Sequence, residues 1–166
     1  MKSILQIGKY YHPDRGGIEY FTKRFAEYFV EKGFNSSVIV FGSEKSKQKI
    51  NDVEVKRFMA LRVSSQPLSL QYVIYSAMMV NKHDKVIIHL PNYLVILIML
   101  MVKKDYCVVW HADFSPKNTY VRKICEYLDR RILSLSSQVY VTTKAYAEHS
   151  DMLRLFQDKL IELPIP

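Results

Sequence analysis

Residues 3–19 read SILQIGKYYHPDRGGIE, and the way this stretch is built decides the fold. Ser3 to Gly8 form a short, mainly apolar run of strand length, and a polar loop then leads to the glycine pair Gly16-Gly17. Beyond the pair, Ile18, Phe21, Phe25 and Phe29 recur at spacings of three and four, which lines one side of a helix with apolar groups. Gly33 follows the last periodic residues, where a helix commonly needs a left-handed C-terminal cap. Strand, long loop and amphipathic helix make the first half of a βαβ unit.

The same alternation continues outward. Further strands are expected near 37–42 (SVIVFG), 53–58 (VEVKRF), 85–90 (KVIIHL), 106–111 (YCVVWH), 138–142 (QVYVT) and 159–163 (KLIEL), with helices near 69–82, 92–103, 117–134 and 144–156. Runs such as Val86-Ile87-Ile88 lack a polar alternate face, which suits strands covered on both sides. The expected class is therefore α/β: a Rossmann-like, doubly wound, mainly parallel sheet with helices on both faces. Segment 43–52 (SEKSKQKIND) reads as a solvated, lysine-rich connection, and 59–68 (MALRVSSQPL), which has no clean period, as a wrap around one edge. The run 93–102 (YLVILIMLMV) is ten residues, about half of what a spanning helix needs, and reads as a buried crossover helix.

Composition narrows the class further. The 166 residues are 49% apolar and 13% aromatic, which excludes a disordered tail and fits one domain with a sizeable core. Cys107 and Cys125 belong to no C-x-x-C pair and read as two reduced, buried thiols. The start Met1-Lys2-Ser3 does not resemble a secretory signal, so a cytoplasmic location is expected. A net charge of +8 allows attraction to phosphate groups or to an anionic membrane. Nucleic-acid binding is not expected, because the basic residues are scattered and match no recognised motif.

Chemistry is expected at the loop between the first strand and the first helix. In open α/β sheets, ligands collect outside the carboxyl ends of the strands, and a helix N-terminus offers unpaired N–H groups to an anion. Gly16 and Gly17 let a backbone come close to a phosphate or a sugar, and Lys9 and Arg15 add charge. The dinucleotide fingerprint fails, since seven residues separate Gly8 from Gly16. The P-loop pattern fails as well, because Gly17 and Ile18 stand where Lys and Ser or Thr belong.

Taken together, Pro13-x-x-Gly16-Gly17-x-Glu19 after an opening strand, Gly33-Phe34 before the next one, Trp110-His111-Ala112-Asp113 and Val141-Thr142-Thr143 at later strand ends, and Leu163-Pro164-Ile165-Pro166 resemble the N-terminal half of family 4 glycosyltransferases. The resemblance implies GT-B architecture, in which two Rossmann-like domains face each other across a cleft. The first mainly holds the acceptor and the second the nucleotide-sugar donor. Residues 1–166 would be the acceptor-side domain, with the Pro-rich end marking the crossing to a C-terminal donor-binding domain that this sequence does not contain.

The resemblance also implies roles. His111 matches a cleft histidine that contacts the donor sugar near the reacting carbon, and is the catalytic candidate. Gly16 and Gly17 would face the donor diphosphate or the acceptor hydroxyl. Glu19 matches the family's acid after the glycines, or is simply a favourable charge on the first helical turn. Asp113 would orient His111 or an acceptor hydroxyl, or serve as a turn or cap residue. Tyr11, His12 and Arg15 complete the substrate-binding candidates, while His83, His89 and His149 carry no site role. No metal and no cofactor is expected, the nucleotide sugar being a co-substrate.

The implied activity is that of a retaining, hexosyltransferase-like glycosyltransferase acting on a glycan or lipid-linked acceptor and inactive without its donor-binding domain, in cis or in trans. Peripheral contact with the inner face of an anionic membrane is expected through Arg122, Lys123, Arg130 and Arg131. The alternative is a stand-alone, non-catalytic binding or assembly module that pairs with a separate donor domain.

Overall fold

The computed structural model describes residues 1–63 and 66–163. In chain order the elements are β1 (Ser3–Ile7), α1 (Gly17–Glu31), β2 (Asn35–Phe41), β3 (Ser46–Ile50), β4 (Val53–Phe58), β5 (Leu61–Val63), β6 (Gln66–Leu68), α2 (Leu70–Val80), β7 (Lys85–Leu90), α3 (Leu94–Met101), β8 (Cys107–Trp110), α4 (Thr119–Leu135), β9 (Gln138–Val141), α5 (Lys144–His149), a 3-10 segment at Leu153–Lys159, and β10 (Leu160–Glu162). The fold is α/β and Rossmann-like. One sheet runs β10-β9-β8-β7-β1-β2-β4-β3, with every neighbouring pair parallel except β3 and β4.

The sheet grows outward from β1 in both directions. The chain first moves through β2 to β4, then returns to the other side of β1 as β7 and continues through β8, β9 and β10. Because parallel crossovers are right-handed, helices that accompany opposite directions of travel lie on opposite faces. Accordingly α1 packs Phe21 against Ile4, Ile87 and Val109, and Ala26 against Val38, Val40 and Val55. On the other face, Val73 of α2, Val95 and Ile98 of α3, Ile132 of α4 and Ala147 of α5 join the cluster built on Leu5, Ile7, Ile88 and Val108.

Gly33 adopts the left-handed conformation (φ 80°), and the Phe34 amide turns back to the Phe29 carbonyl to close α1. Four expectations need correction. Segment 43–52 is not simply a loop: Ser46–Ile50 pairs antiparallel with β4 through a two-residue turn at Asn51 and Asp52, both at positive φ. An outer strand with lysines facing water lacks the apolar signature of a strand. The helix at α3 is only partly buried, with Val95 and Ile98 inside but Leu97, Leu100 and Met101 exposed. An all-apolar run does not reveal which side faces the sheet.

The helix expected at 144–156 ends at His149, because the Ser150 hydroxyl accepts from the Leu153 amide and starts a new, tighter turn. Cys107 is only half-buried, whereas Cys125 is buried, and both are free thiols. The Pro164-Ile165-Pro166 crossing and the centre of the 59–68 segment lie outside the described residues.

Candidate active site at the sheet switch point

The connections that leave the carboxyl ends of β1 and β7 run in opposite directions, and in folds of this kind ligands bind in the crevice at that switch point. Three segments meet there: Gly8 at the end of β1, which lies against His89, the second turn of α1 at Phe21, and His111 just beyond β8.

His111 is held by its backbone amide, which donates to the Leu90 carbonyl at 3.3 Å. Its ring stacks on His89 of β7, with centroids 5.2 Å apart and planes 13° from parallel, and His111 Nε2 lies 2.9 Å from His89 Nδ1. The edge of Phe21 meets the His111 ring at 5.3 Å, which sets the imidazole against the second turn of α1. Burial lowers the pKa of His111 to about 4. His89 is held well below the ordinary histidine value, first by burial and then by the His111 charge it would face. Both rings are therefore neutral at physiological pH.

His89 carries no role in the sequence reading, yet it is the direct partner of His111. A signal was present: His89 and Gln6 are the polar residues inside two apolar strands, and a buried polar group needs a partner. In the structure they are each other's partners, with His89 Nε2 2.7 Å from Gln6 Oε1.

The glycine loop is divided. Gly16 and Gly17 are exposed at the start of α1, and no side chain of the N-cap residue caps the helix. Glu19 folds its carboxylate back over Gly16, so its negative charge lies at the positive end of the helix. Burial lowers the Lys9 pKa, and nearby Glu19 partly opposes this. His12 and Arg15 are exposed, and the His12 carbonyl accepts from the Arg57 guanidinium.

Tyr11 departs from expectation. It is fully buried and packs with Ala26, Val38, Val40 and Val55, while burial pushes its hydroxyl above the ordinary range. A ring in the core has no face to offer a sugar, so Tyr11 anchors the loop instead.

Asp113 is committed to α5 and the residue after it. Tyr146 Oη donates to its carboxylate at 3.0 Å and accepts from its amide at 2.8 Å, and Ser150 Oγ donates to it at 2.8 Å. Beside it lies a cavity of about 430 Å³ whose lining includes Trp110, Asp113, Glu126 and Asp129. Burial and the charges of Asp113 and Glu126 raise the Asp129 carboxyl to about 7, against a hydrogen bond from Tyr93 Oη at 3.2 Å.

The crevice thus offers backbone N–H groups at a helix N-terminus, which suit a phosphate or a sugar oxygen, beside a neutral imidazole that can hold or exchange a hydrogen bond. Among the described residues no group of three His, Cys, Asp or Glu side chains is arranged to hold a metal ion.

No family model matches the chain. It is 22% identical over 167 residues to the O-antigen chain mannosyltransferase C of Escherichia coli, a match covering 97% of this chain and 45% of that protein. Similarity to a sugar transferase therefore runs along almost the whole chain, which spans less than half the length of this curated relative.

Proposed function

We propose that this chain is the N-terminal, acceptor-side domain of a family 4, retaining glycosyltransferase with GT-B architecture. It would act with a donor-binding domain supplied in cis or in trans, moving a sugar from a nucleotide-sugar donor to a glycan or lipid-linked acceptor. The observation that carries this reading is the position of His111 at the switch point, against Phe21 in the second turn of the helix that the glycine pair opens. The match to 45% of a mannosyltransferase supports the two-domain part of the proposal.

Each group has a task in such a reaction. The N-terminus of α1, whose positive end the Glu19 carboxylate already faces, binds an acceptor hydroxyl through its backbone N–H groups and that carboxylate. His111 holds a sugar hydroxyl beside the reacting carbon, and so reduces the orientational cost of reaction. Gly16 and Gly17 let the substrate approach, while Glu19, His12, Arg15 and Asp113 border the acceptor.

The test joins residues 1–166 to the reading frame that follows them, or mixes them with a separately produced donor-binding domain. Transfer is then assayed from a panel of nucleoside diphosphate sugars, including mannose donors, to lipid-linked oligosaccharides. Expected are transfer with retained anomeric configuration, loss of at least 100-fold in His111→Ala, and no transfer by the 166 residues alone. Robust transfer by the isolated chain, or a His111→Ala variant of full activity, overturns the proposal.

Among the described residues no helix is long and apolar enough to cross a membrane. A peripheral contact with an anionic bilayer is proposed instead, supported by the exposed Arg122, Lys123, Arg130 and Arg131 of α4.

A further inference from the structure

Gln6 of β1, His89 of β7 and His111 after β8 form a continuous polar chain across three neighbouring strands. Gln6 and His89 are buried at 0% and 2% exposure, and His111, at the crevice, is half-buried. We propose that Gln6 and His89 are positioning residues that fix the tautomer of His111, placing its proton on Nε2 and leaving Nδ1 as a bare lone pair. The inference rests on the reading of His111 as the crevice histidine, and adds what that histidine can do there.

With Gln6 Oε1 facing it at 2.7 Å, His89 Nε2 carries a hydrogen, because an amide oxygen only accepts. The reversed amide, which would donate from the otherwise unpartnered Gln6 Nε2, would invert both tautomers and is read directly as protonated Nδ1 atoms. A neutral imidazole has one N–H, so His89 Nδ1 is an acceptor. The 2.9 Å contact then requires the hydrogen to come from His111 Nε2. His111, also neutral, is left with an unprotonated Nδ1. Thr22 Oγ1 stands 3.5 Å from His89 Nδ1, but its hydrogen is directed to the Ile18 carbonyl at 2.8 Å, so the contact at the outer limit does not compete with the two short ones.

The consequence concerns substrate. A substrate group that meets the bare Nδ1 must then donate: a sugar hydroxyl can, whereas an oxygen lacking hydrogen, such as a glycosidic or phosphate oxygen, cannot. The substrate group it selects is a hydroxyl donor.

The experiment is long-range ¹H–¹⁵N correlation spectroscopy of the imidazoles in the uniformly ¹⁵N-labelled 166-residue chain, with no substrate added. Both His89 and His111 are expected to show a protonated Nε2 and an unprotonated Nδ1. In Gln6→Met, which removes the acceptor while keeping the volume, the His89 and His111 nitrogen signals should move toward the averaged position of a free imidazole. A protonated Nδ1 on either ring of the unaltered chain overturns the proposal, as does a folded Gln6→Met whose imidazole signals do not move. If Gln6→Met fails to fold, the unaltered chain's spectrum still decides. No transfer reaction enters the measurement, so its failure is separate from failure of the glycosyltransferase reading.

Discussion

The Tyr72 hydroxyl of α2 donates a 2.8 Å hydrogen bond to the carbonyl of Gly8, where β1 gives way to the glycine loop. Asn92, just past β7, donates to the same hydroxyl at 2.8 Å and to the same carbonyl at 3.4 Å. A helix on one face of the sheet thereby fixes the start of the loop that leads to the crevice. Tyr72→Phe keeps the ring that stacks on Phe41 at 4.1 Å and removes only the hydroxyl. Leaving the Gly8 carbonyl with the long Asn92 bond alone should cost about 1–3 kcal/mol in urea unfolding. A loss below about 0.5 kcal/mol would mean that the bond does not hold the loop.

Asp113 separates two roles left open by its sequence. Its carboxylate is engaged by Tyr146 and Ser150, which ties the turn after β8 to α5 and the residue that follows it. Asp113→Ala should therefore lower stability by about 1–2 kcal/mol while leaving the ¹⁵N signals of the His111 ring in place. Were Asp113 to orient His111, those signals would shift with little change in unfolding midpoint.

Stability against pH contains two opposing contributions. His111 has a folded pKa of about 4, below the 6.5 of an unperturbed histidine, so the unfolded chain binds protons first and stability falls as pH drops from about 6.5 toward 4. His89 acts in the same direction. Asp129 is raised from 3.8 to about 7, so the stability linked to its protonated form is present at low pH and lost as pH rises through about 7. Between about pH 4 and 6.5 these slopes partly cancel. Asp129→Asn removes the counter-slope: acid destabilisation should steepen from about one proton's worth, ~1.4 kcal/mol per pH unit, to about two. Parallel stability curves for the two proteins, measured by urea titration across this range, would contradict the assignment.

How much was legible follows from the kind of signal. Parallel strands covered on both faces show as largely apolar runs, so β1, β7 and β8 and the α/β class are legible, and Gly33 marks the end of α1. β3 was hidden because an edge strand made of Lys47, Gln48 and Lys49 looks like a loop. Tyr11 is not legible in the sequence, because a loop residue gives no sign of which way it turns, and here it turns into the core between α1 and β2. The place of His111 at a strand end is legible because an apolar strand run directly precedes it. His89 was missed because pairing between neighbouring strands depends on register, which is set by the whole sheet and not by the local residues.

Leu70, Ile74 and Met78 on α2, Leu97, Leu100 and Met101 on α3, and Tyr120, Ile124 and Tyr127 on α4 all stand exposed on helices that cover the same face of the sheet. Leu100, 76% exposed, has no core role to lose. Basic residues near an anionic surface each contribute about 1 kcal/mol, so on this proposal α4 would supply the charge and the apolar residues the insertion. The chain should pellet with vesicles containing anionic lipid and much less with neutral ones. Arg122→Gln combined with Arg131→Gln should weaken that binding on the order of tenfold or more, and Leu100→Glu should weaken it without changing the unfolding midpoint. Equal, negligible pelleting with both kinds of vesicle would leave the exposed face of α2, α3 and α4 without a lipid role.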